Sequence, residues 1–373
     1  MSVRRRKWTT RTGEQKESWI VDYADQAGKR HLQTFDRKKE AEAYHDKVRT
    51  DVRRGTHFAS STSPTVPEVA ASWLKRVEAN GRERGTLDTY RQHVRIHILP
   101  YFGVTKLAQL NPTKIEAYRD DLLEQLSRPM ARKVLSTFRS IMKAAKCTHL
   151  TADVSIAASK RSEHKLEVGR DIPTTNEVGR LIKAADGRQR ALLLVAALCG
   201  LRASELRGLR WADVDLRAGE LRVTQRADRY NQIGAPKSVS SRRTLPLAPE
   251  TISALKTWKL ACPKGELGLA FPSIKGVVEH HMVMLKTLAP AMKVAGVVDK
   301  DGKPKYGLHA FRHFFASWCI NPRSRGGREL PAKVVQALLG HSSIVMTLDI
   351  YGHLFPNADD RAELATASYA LLA

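Results

Sequence analysis

Hydrophobic and polar positions first follow a strand-like period along this chain and then a helical one. Residues 18–23 alternate between apolar and polar side chains, and residues 29–35 form a second candidate strand. The turn-forming stretch 25–28 lies between them, so the pair is predicted to form a β-hairpin. A helix is expected to follow from Asp36, a candidate N-cap. This pattern predicts a small separate unit over residues 1–60.

Most of the remaining chain shows helical spacing of apolar residues. A Ser-, Thr- and Pro-rich stretch at 59–67 is typical of a linker. Helical spacing follows it in four segments, 66–79, 84–98, 112–126 and 129–146. Leu107, Ile115 and Leu122 are among the apolar residues that suit packed helices. We therefore predict an all-α unit over 64–158.

The second half of the chain mixes helices with short strands. The charged stretch 159–171 has no strong period and is a second candidate linker. Helical spacing resumes at residue 173, and 220–225 and 242–247 are candidate strands. The predicted fold class is mainly α with small β elements (α+β), and its last unit covers 170–373.

Composition adds a strong positive charge. The 63 Lys and Arg residues outnumber the 38 Asp and Glu residues, which gives a formal net charge of +25. Such an excess attracts a polyanion, so the candidate partners are DNA, RNA or an anionic membrane surface, and the alternative is a basic, solvated surface without a specific partner. Candidate phosphate contacts in the all-α unit are Arg91, Arg95, Arg128, Arg132, Lys133 and Arg139.

The sequence gives little support to a membrane protein. No apolar run reaches the ~20 residues that span a bilayer. The basic start of the chain lacks the apolar core of a secretory signal. The four cysteines show no paired spacing and are expected to be reduced. We therefore expect a soluble, cytoplasmic protein.

Several charged or polar residues stand in positions suited to an anion. Arg202 follows an apolar helix, and Glu205 can pair with it one turn later, which on its own is more often a structural ion pair. His309 and Arg312 share a helix face, so one anion could touch both. His309 and His313 have the spacing of a helical zinc pair, but Ala310 replaces the glutamate of a zinc protease and Arg312 would repel a cation. No metal is expected.

Two further residues complete the series near the end of the chain. His341 follows an apolar helix and Gly340, where a histidine is often only a helix-end residue. Tyr351 comes ten residues later, and a single tyrosine of this kind is more often a core aromatic. Their order after the arginines is more informative than either residue alone.

The order Arg202, His309, Arg312, His341, Tyr351 resembles the active-site signature of the tyrosine recombinases of the phage-integrase type. The sequence segments around these residues are also similar to those of the family, namely ALCGLRASELRGLRWADVDL, LHAFRHFFASW and VVQALLGHSSIVMTLDIYGHLF. The resemblance implies that 64–158, which contains TLDTYRQHVRIHILPYFG, is a core-binding domain, and 170–373 the catalytic domain. It implies, more weakly, that 1–60 is an arm-type DNA-binding domain.

The resemblance also implies roles for these residues. Arg202 and Arg312 would hold the nonbridging phosphate oxygens, and His341 would orient the phosphate. Tyr351 would be the nucleophile and lose its proton towards His309. The family completes its site with a lysine on a β-hairpin, for which Lys237 is the candidate. The intermediate would be a 3′-phosphotyrosyl bond, formed without metal, ATP or another cofactor.

The resemblance implies that the partner is double-stranded DNA carrying attachment sites. A homotetramer would exchange the DNA strands, and an excisionase and a host DNA-bending protein are further candidate partners. The place of action would be the nucleoid. Two other functions remain open at this point, a type IB topoisomerase and a non-catalytic DNA-binding regulator derived from a recombinase. The segment 319–331 is longer than in the compact family version and is expected to form a basic loop. The tail, 362–373, is a candidate helix that packs on a neighbouring subunit or on its own domain.

Overall fold

A computed structural model describes residues 2–10, 13–25, 28–54, 59, 62–157, 165–355 and 368–369 of the chain. The chain forms two units, Met1–Ser162 and Glu163–Ala373, and each is described by itself. Helices predominate in the described residues, and the sheets are small and antiparallel. The predicted mainly α fold with small β elements is therefore confirmed.

The first unit begins with a three-stranded antiparallel sheet in the order β1-β2-β3. Its strands are β1 (Ser2–Thr9), β2 (Gln15–Ala24) and β3 (Arg30–Phe35), and α1 (Lys38–Arg54) follows. Val21 and Tyr23 pack against α1 in a small core. The predicted hairpin corresponds to β2 and β3, and the sequence did not predict the third strand, β1. Strand β1, SVRRRKWT, lacks apolar alternation because nearly all of it is exposed.

The rest of the first unit consists of packed helices. They are α2 (Val66–Ala79), α3 (Arg84–His93), a π-helical turn (Val94–Ile98), α4 (Leu99–Phe102), α5 (Pro112–Gln125) and α6 (Arg128–Ala144), with short 3-10 turns at Leu107–Gln109 and Thr148–Thr151. Thr65 and Glu68 form a capping box that starts α2, so Pro67 of the predicted linker lies inside a helix. Rings of Phe102, Tyr118 and Phe138 meet at the centre of the core.

The second unit contains nine helices and five short strands among its described residues. The helices are α7 (Thr175–Ala184), α8 (Gly187–Cys199), α9 (Ala203–Gly208), α10 (Pro249–Ala261), α11 (His281–Thr287), α12 (Ala289–Val294), α13 (Leu308–Ile320), α14 (Ala332–Leu339) and α15 (Ile344–Tyr351). Helix α8 is apolar on nearly all sides because it packs between α10 and α13.

The strands of the second unit form two small sheets. They are β4 (Val214–Asp215), β5 (Glu220–Val223), β6 (Arg226–Ala227), β7 (Ile233–Gly234) and β8 (Arg243–Pro246). One sheet has the order β4-β5-β8, and β6 pairs with β7 as a hairpin. The candidate strands at 220–225 and 242–247 correspond to β5 and β8.

The loop after α13 contains a 3-10 turn, Arg323–Arg325, and is fixed by the Trp318 Nε1, which donates to the Gly326 carbonyl over 2.9 Å. Most of the tail at 362–373, and part of the stretch 159–171, lie outside the described residues. No single helix in the described part of the chain is long and apolar enough to cross a membrane. The two helices Ala332–Leu339 and Ile344–Leu354 reach the required length and apolar composition only when they are taken together, and a bend of 103° separates them.

Candidate active site

Two glycines in the left-handed conformation end helices at the centre of the second unit. Gly200 caps α8 with a φ of 61°, and Gly340 caps α14 with a φ of 64°. A Cβ added to Gly200 would lie 2.3 Å from a ring carbon of Phe315, so both conformation and space require glycine there. These two turns place Arg202 shortly after the end of α8 and His341 directly after the end of α14.

Arg312 connects the two helix ends. It projects from α13 and is only 2% exposed. Its Nη1 donates to the Gly200 carbonyl over 2.7 Å, and its Nη2 donates to the Leu339 carbonyl over 2.6 Å. A cation is favourable there because helix C-termini carry partial negative charge. Burial, together with Arg202 and Arg243, lowers the pKa of Arg312 to about 9, so the guanidinium remains charged at neutral pH.

Arg202 is the more exposed of the two arginines. It is the N-cap residue of α9, and its side chain is 31% exposed. Nη1 donates to Glu205 Oε1 over 2.8 Å, and Nη2 donates to the Gly340 carbonyl over 3.1 Å. The ion pair with Glu205 that the sequence suggested is therefore present. Since a guanidinium has five N–H donors, Arg202 and Arg312 both retain donors for an added anion.

A third arginine, Arg243, joins this group and was not singled out in the sequence. Its Nη2 donates to Glu205 Oε2 over 2.9 Å, and its Nε donates to the Leu338 carbonyl over 2.7 Å. Burial alone would raise the pKa of Glu205, but Arg243 and Arg202 hold it below its ordinary value. A buried carboxylate thus fixes two arginines, and no sequence signal marked Arg243 because its pairing depends on where β8 packs.

Tyr351 lies at the end of α15 with its side chain inside the protein. It is 1% exposed. Its hydroxyl lies 2.7 Å from the Nδ1 of His313, and its ring stacks on His341 with centroids 6.5 Å apart. Burial raises the pKa of Tyr351 to about 12, although Arg312 and Arg202 act in the opposite direction. The phenol is therefore protonated at neutral pH.

Hydrogen bonds hold His341 in one orientation. Its Nδ1 lies 2.9 Å from the Thr347 Oγ1, and its carbonyl accepts from Gln336 Nε2 over 3.0 Å. Burial lowers the pKa of His341 to about 4, and Arg312 and Arg202 act in the same direction. The imidazole is neutral, and Nε2 is the ring nitrogen left for another partner.

His309 lies one helical turn before His313, and their ring centroids are 4.6 Å apart. Burial and the neighbouring Arg312 and Arg202 lower the pKa of His309. The described residues show no hydrogen bond between His309 and Tyr351, the residue whose proton it was expected to receive. His313 makes that contact instead. The sequence offered a signal, the second histidine of HAFRH, which was considered only as half of a zinc pair.

Lys237 is the candidate that the structure leaves at the edge of the group. It follows β7 by three residues and is exposed, and no hydrogen bond or ion pair to it is found in the part of the chain that the structure describes. Its neighbour Ser238 lies 2.9 Å from Ser241, whose hydroxyl accepts from Arg202 over 3.4 Å. The backbone that carries Lys237 is therefore adjacent to the arginines.

Among the described residues, no group of three or more His, Cys, Asp or Glu side chains could hold a metal ion. The site brought together by the fold thus consists of guanidinium groups, neutral imidazoles and one buried phenol. Such a set can bind an anion through several charged donors and present a hydroxyl nucleophile to it.

Comparisons with known proteins agree with this class of site. The family described as "Phage integrase family" matches residues 173–358, and "Phage integrase, N-terminal SAM-like domain" matches 65–123. The chain therefore belongs to the phage integrase family of tyrosine recombinases. It is a site-specific recombinase, an enzyme that transfers DNA strands.

Relatives and solved structures are similar over most of the chain. A protein of Caldanaerobacter subterraneus, "Tyrosine recombinase XerC-like", is 26% identical and aligns over 87% of this chain and 88% of its own length. An "Integrase" of Streptomyces ambofaciens is 26% identical over 91% and 90%. In fold the chain resembles the Tn1549 transposon integrase in complex with circular intermediate DNA (TM-score 0.60, 20% identity, 83% and 100% covered) and a lambda integrase dimer bound to a core site (0.57, 16%, 95% and 95%).

Proposed function

We propose that this recombinase cleaves DNA through Tyr351, which attacks a phosphodiester held by Arg202 and Arg312. The observation that carries the proposal is the convergence of four distant segments, in which the buried phenol lies beside two arginines anchored on helix ends. Attack on a phosphodiester builds negative charge on its nonbridging oxygens. Fixed guanidinium groups stabilise that charge without having to reorganise.

The histidines and the lysine divide the remaining tasks. The free Nε2 of His341 hydrogen-bonds to the phosphate, and His309 contacts it from the helix face that it shares with Arg312. Lys237 protonates the leaving 5′ oxygen, which is far more basic than a phenolate. Its exposure and its place beside the Ser238–Ser241 pair support a lysine that reaches the phosphate once DNA is bound.

The product is a 3′-phosphotyrosyl bond and a free 5′ hydroxyl. Because the phosphotyrosyl ester retains the energy of the broken bond, a 5′ hydroxyl from another strand reseals the DNA without ATP. The chain's own residues supply all of these steps, so no metal or other cofactor is proposed.

The proposed substrate is double-stranded DNA with the attachment sites of a phage or another mobile element, so the enzyme acts at the nucleoid in the cytoplasm. A net charge of +25 supports a DNA partner. The proposed assembly is a homotetramer, as in a structure of similar fold, a lambda integrase tetramer bound to a Holliday junction. An excisionase and a host DNA-bending protein are further proposed partners.

The N-terminal sheet and α1 are proposed to bind a second, arm-type class of site, with 64–158 as the core-binding domain and 170–373 as the catalytic domain. Strand β1 contributes exposed basic side chains, among them Arg4 and Arg6. Deleting residues 1–60 should reduce integration more than binding to the core site. An unchanged integration rate would contradict the arm-type role.

The test of the nucleophile uses the full chain and a duplex that the wild-type protein selects from a random DNA library. The substitution Tyr351→Phe should abolish the covalent protein–DNA adduct and retain DNA binding, because only the hydroxyl is removed. Tyr306→Phe is the matched control: it removes another buried hydroxyl of the same unit and should leave the adduct intact. A wild-type protein that forms no adduct on its selected duplex would disprove the proposal.

A further inference from the structure

His313 contacts the hydroxyl that is proposed to react. Its Nδ1 lies 2.7 Å from the Tyr351 Oη, and the phenol has no other hydrogen bond within the described residues. We propose that His313 is the catalytic base that takes the proton of Tyr351 during attack, which separates its role from the phosphate contact of His309. The inference rests on the proposed function, because it takes Tyr351 as the nucleophile.

The protonation states suit this transfer. Burial lowers the pKa of His313 to about 4; His309 and Arg312 act in the same direction, and Asp171 acts against them. Since the pKa of Tyr351 is raised to about 12, a neutral imidazole faces a protonated phenol. With its own proton on Nε2, the imidazole accepts the phenolic hydrogen bond at Nδ1.

DNA strengthens the base at the moment it is needed. A phosphodiester held by Arg202 and Arg312 brings negative charge close to Arg312, a cation that disfavours a protonated His313, so the pKa of His313 rises when the substrate is bound. The phenol becomes more acidic as its oxygen bonds to phosphorus. Proton transfer therefore becomes favourable as the attack proceeds, which is the condition for general base catalysis.

The step is balanced in atoms and charge. The Tyr351 Oη forms a bond to phosphorus, its proton moves to the His313 Nδ1, and the bond from phosphorus to the 5′ oxygen breaks. The leaving oxygen takes a proton from Lys237. In the resealing step a 5′ hydroxyl returns its proton to Lys237, and His313 returns its own to the phenolate as it leaves.

His309 does not occupy this position. Its ring meets the ring of His313 nearly at a right angle, with centroids 4.6 Å apart. His309 and Arg312 lie three residues apart on α13, a spacing that places them on one face towards the same anion. In this proposal His309 therefore contacts the phosphate, whereas His313 accepts the proton of the Tyr351 hydroxyl.

The experiment measures single-turnover adduct formation by the full chain. The probe is the selected duplex with a nick beside the cleavage point, so that the released fragment diffuses away and resealing is prevented. His313→Asn keeps an oxygen acceptor near the position of Nδ1 but cannot hold a proton, and His313→Ala removes both. His281→Asn, an exposed histidine of the same unit, is the control and should cleave like wild type.

The expected result is a loss of rate that tracks proton transfer. His313→Asn and His313→Ala should both cleave about 100-fold more slowly or worse at neutral pH. Their cleavage rates should then rise about tenfold per pH unit, because the Tyr351 hydroxyl must now lose its proton to the solvent before attack. Added imidazole should restore part of the rate of His313→Ala, whereas DNA binding and the unfolding midpoint of His313→Asn should match wild type.

Two outcomes would overturn the inference. If His313→Asn cleaves within about threefold of wild type with the same pH profile, the hydrogen bond only orients the phenol and the base lies elsewhere. If His313→Asn is slow but added imidazole leaves the folded His313→Ala protein unchanged, His313 is not a base. A wild-type chain without any adduct is a different failure, since it removes the nucleophile and the inference together.

Discussion

In the helical part of Met1–Ser162 the apolar interior centres on a cluster of aromatic rings, whereas the centre of Glu163–Ala373 contains buried ions. Phe102 and Phe138 stack with centroids 4.8 Å apart, and Tyr118 meets both rings. In the second unit Glu205 is 2% exposed and binds Arg243. Aromatic packing is favourable by itself, but buried charges are costly unless they are paired and hydrogen-bonded.

The difference indicates where function constrains the core. The aromatic interior only has to hold helices together, so apolar area is sufficient. Glu205 in the ionic interior fixes Arg202, and the Gly200 and Leu339 carbonyls hold Arg312. Both guanidinium groups are thus in place before any substrate arrives, as the proposed stabilisation of a developing phosphate charge requires. If the two interiors differ in this way, substitutions in the ionic interior should reduce cleavage, and substitutions in the aromatic interior should leave it unchanged.

Removing the buried carboxylate should have the largest effect. Glu205→Ala leaves the Arg243 guanidinium buried and unpaired, and should lower the free energy of unfolding by about 3–5 kcal/mol. Urea unfolding measures this, with Glu167→Gln in an exposed ion pair as a control that should cause no measurable change. An unchanged unfolding midpoint for Glu205→Ala would contradict the ionic-core description.

A double substitution sharpens the same comparison. Glu205→Leu with Arg243→Met replaces the buried ion pair by apolar side chains, and should recover most of the stability lost in Glu205→Ala because the charge of Arg243 is removed together with its partner. Adduct formation should stay low, since Arg202 then lacks the carboxylate that orients it. If cleavage also recovers, the buried ion pair is not needed to orient Arg202 for the reaction.

Substitution of the glycine that ends α8 should have the next largest effect on stability. Gly200→Ala should cost about 1–2 kcal/mol for the left-handed backbone and about 1–3 kcal/mol more because the new methyl group meets Phe315. Gly81→Ala in the helical part, where φ is 69° and nothing lies within 4 Å, should show the backbone cost alone. Urea unfolding measures both variants. Equal losses in the free energy of unfolding would show that the contact with Phe315 does not contribute.

Acid should destabilise the second unit through its buried histidines. In the folded state the pKa of His341 and of His313 is lowered from 6.5 to about 4. Their stabilising contribution is present above pH 6.5 and is lost as the pH falls towards 4, because the unfolded chain takes up protons first. For the well-buried His341 the slope is at most about 1.4 kcal/mol per pH unit. Urea midpoints between pH 4 and 7.5, for wild type and His341→Gln, measure it; equal slopes would contradict the assignment.

A single neutral hydrogen bond in the aromatic core should have the smallest effect. The Tyr118 hydroxyl donates to the His97 carbonyl over 3.2 Å. Tyr118→Phe should lower the free energy of unfolding by about 1 kcal/mol and leave adduct formation unchanged. A loss of cleavage without a loss of stability would mean that the helical core takes part in the reaction.

The sequence indicated most of the fold and of the site because their signals are local. Helical spacing predicted α2 over Val66–Ala79, where an apolar face and a capping box coincide. Motif order predicted Arg202, His309, Arg312, His341 and Tyr351 as site residues, and Gly200 and Gly340 already marked helix ends before two of them. Strand β1 gave no signal, because an exposed edge strand needs no apolar alternation.

What only the tertiary structure decided is which groups touch. The contact of His313 with Tyr351 depends on how α15 packs against α13, and the pairing of Arg243 with Glu205 depends on where β8 lies beside α9. Residues 38 positions apart in the sequence meet in both cases, and no local pattern encodes such a distance. The amino-acid sequence by itself determined the chemical groups and the elements that carry them, whereas packing determined which imidazole faces the phenol.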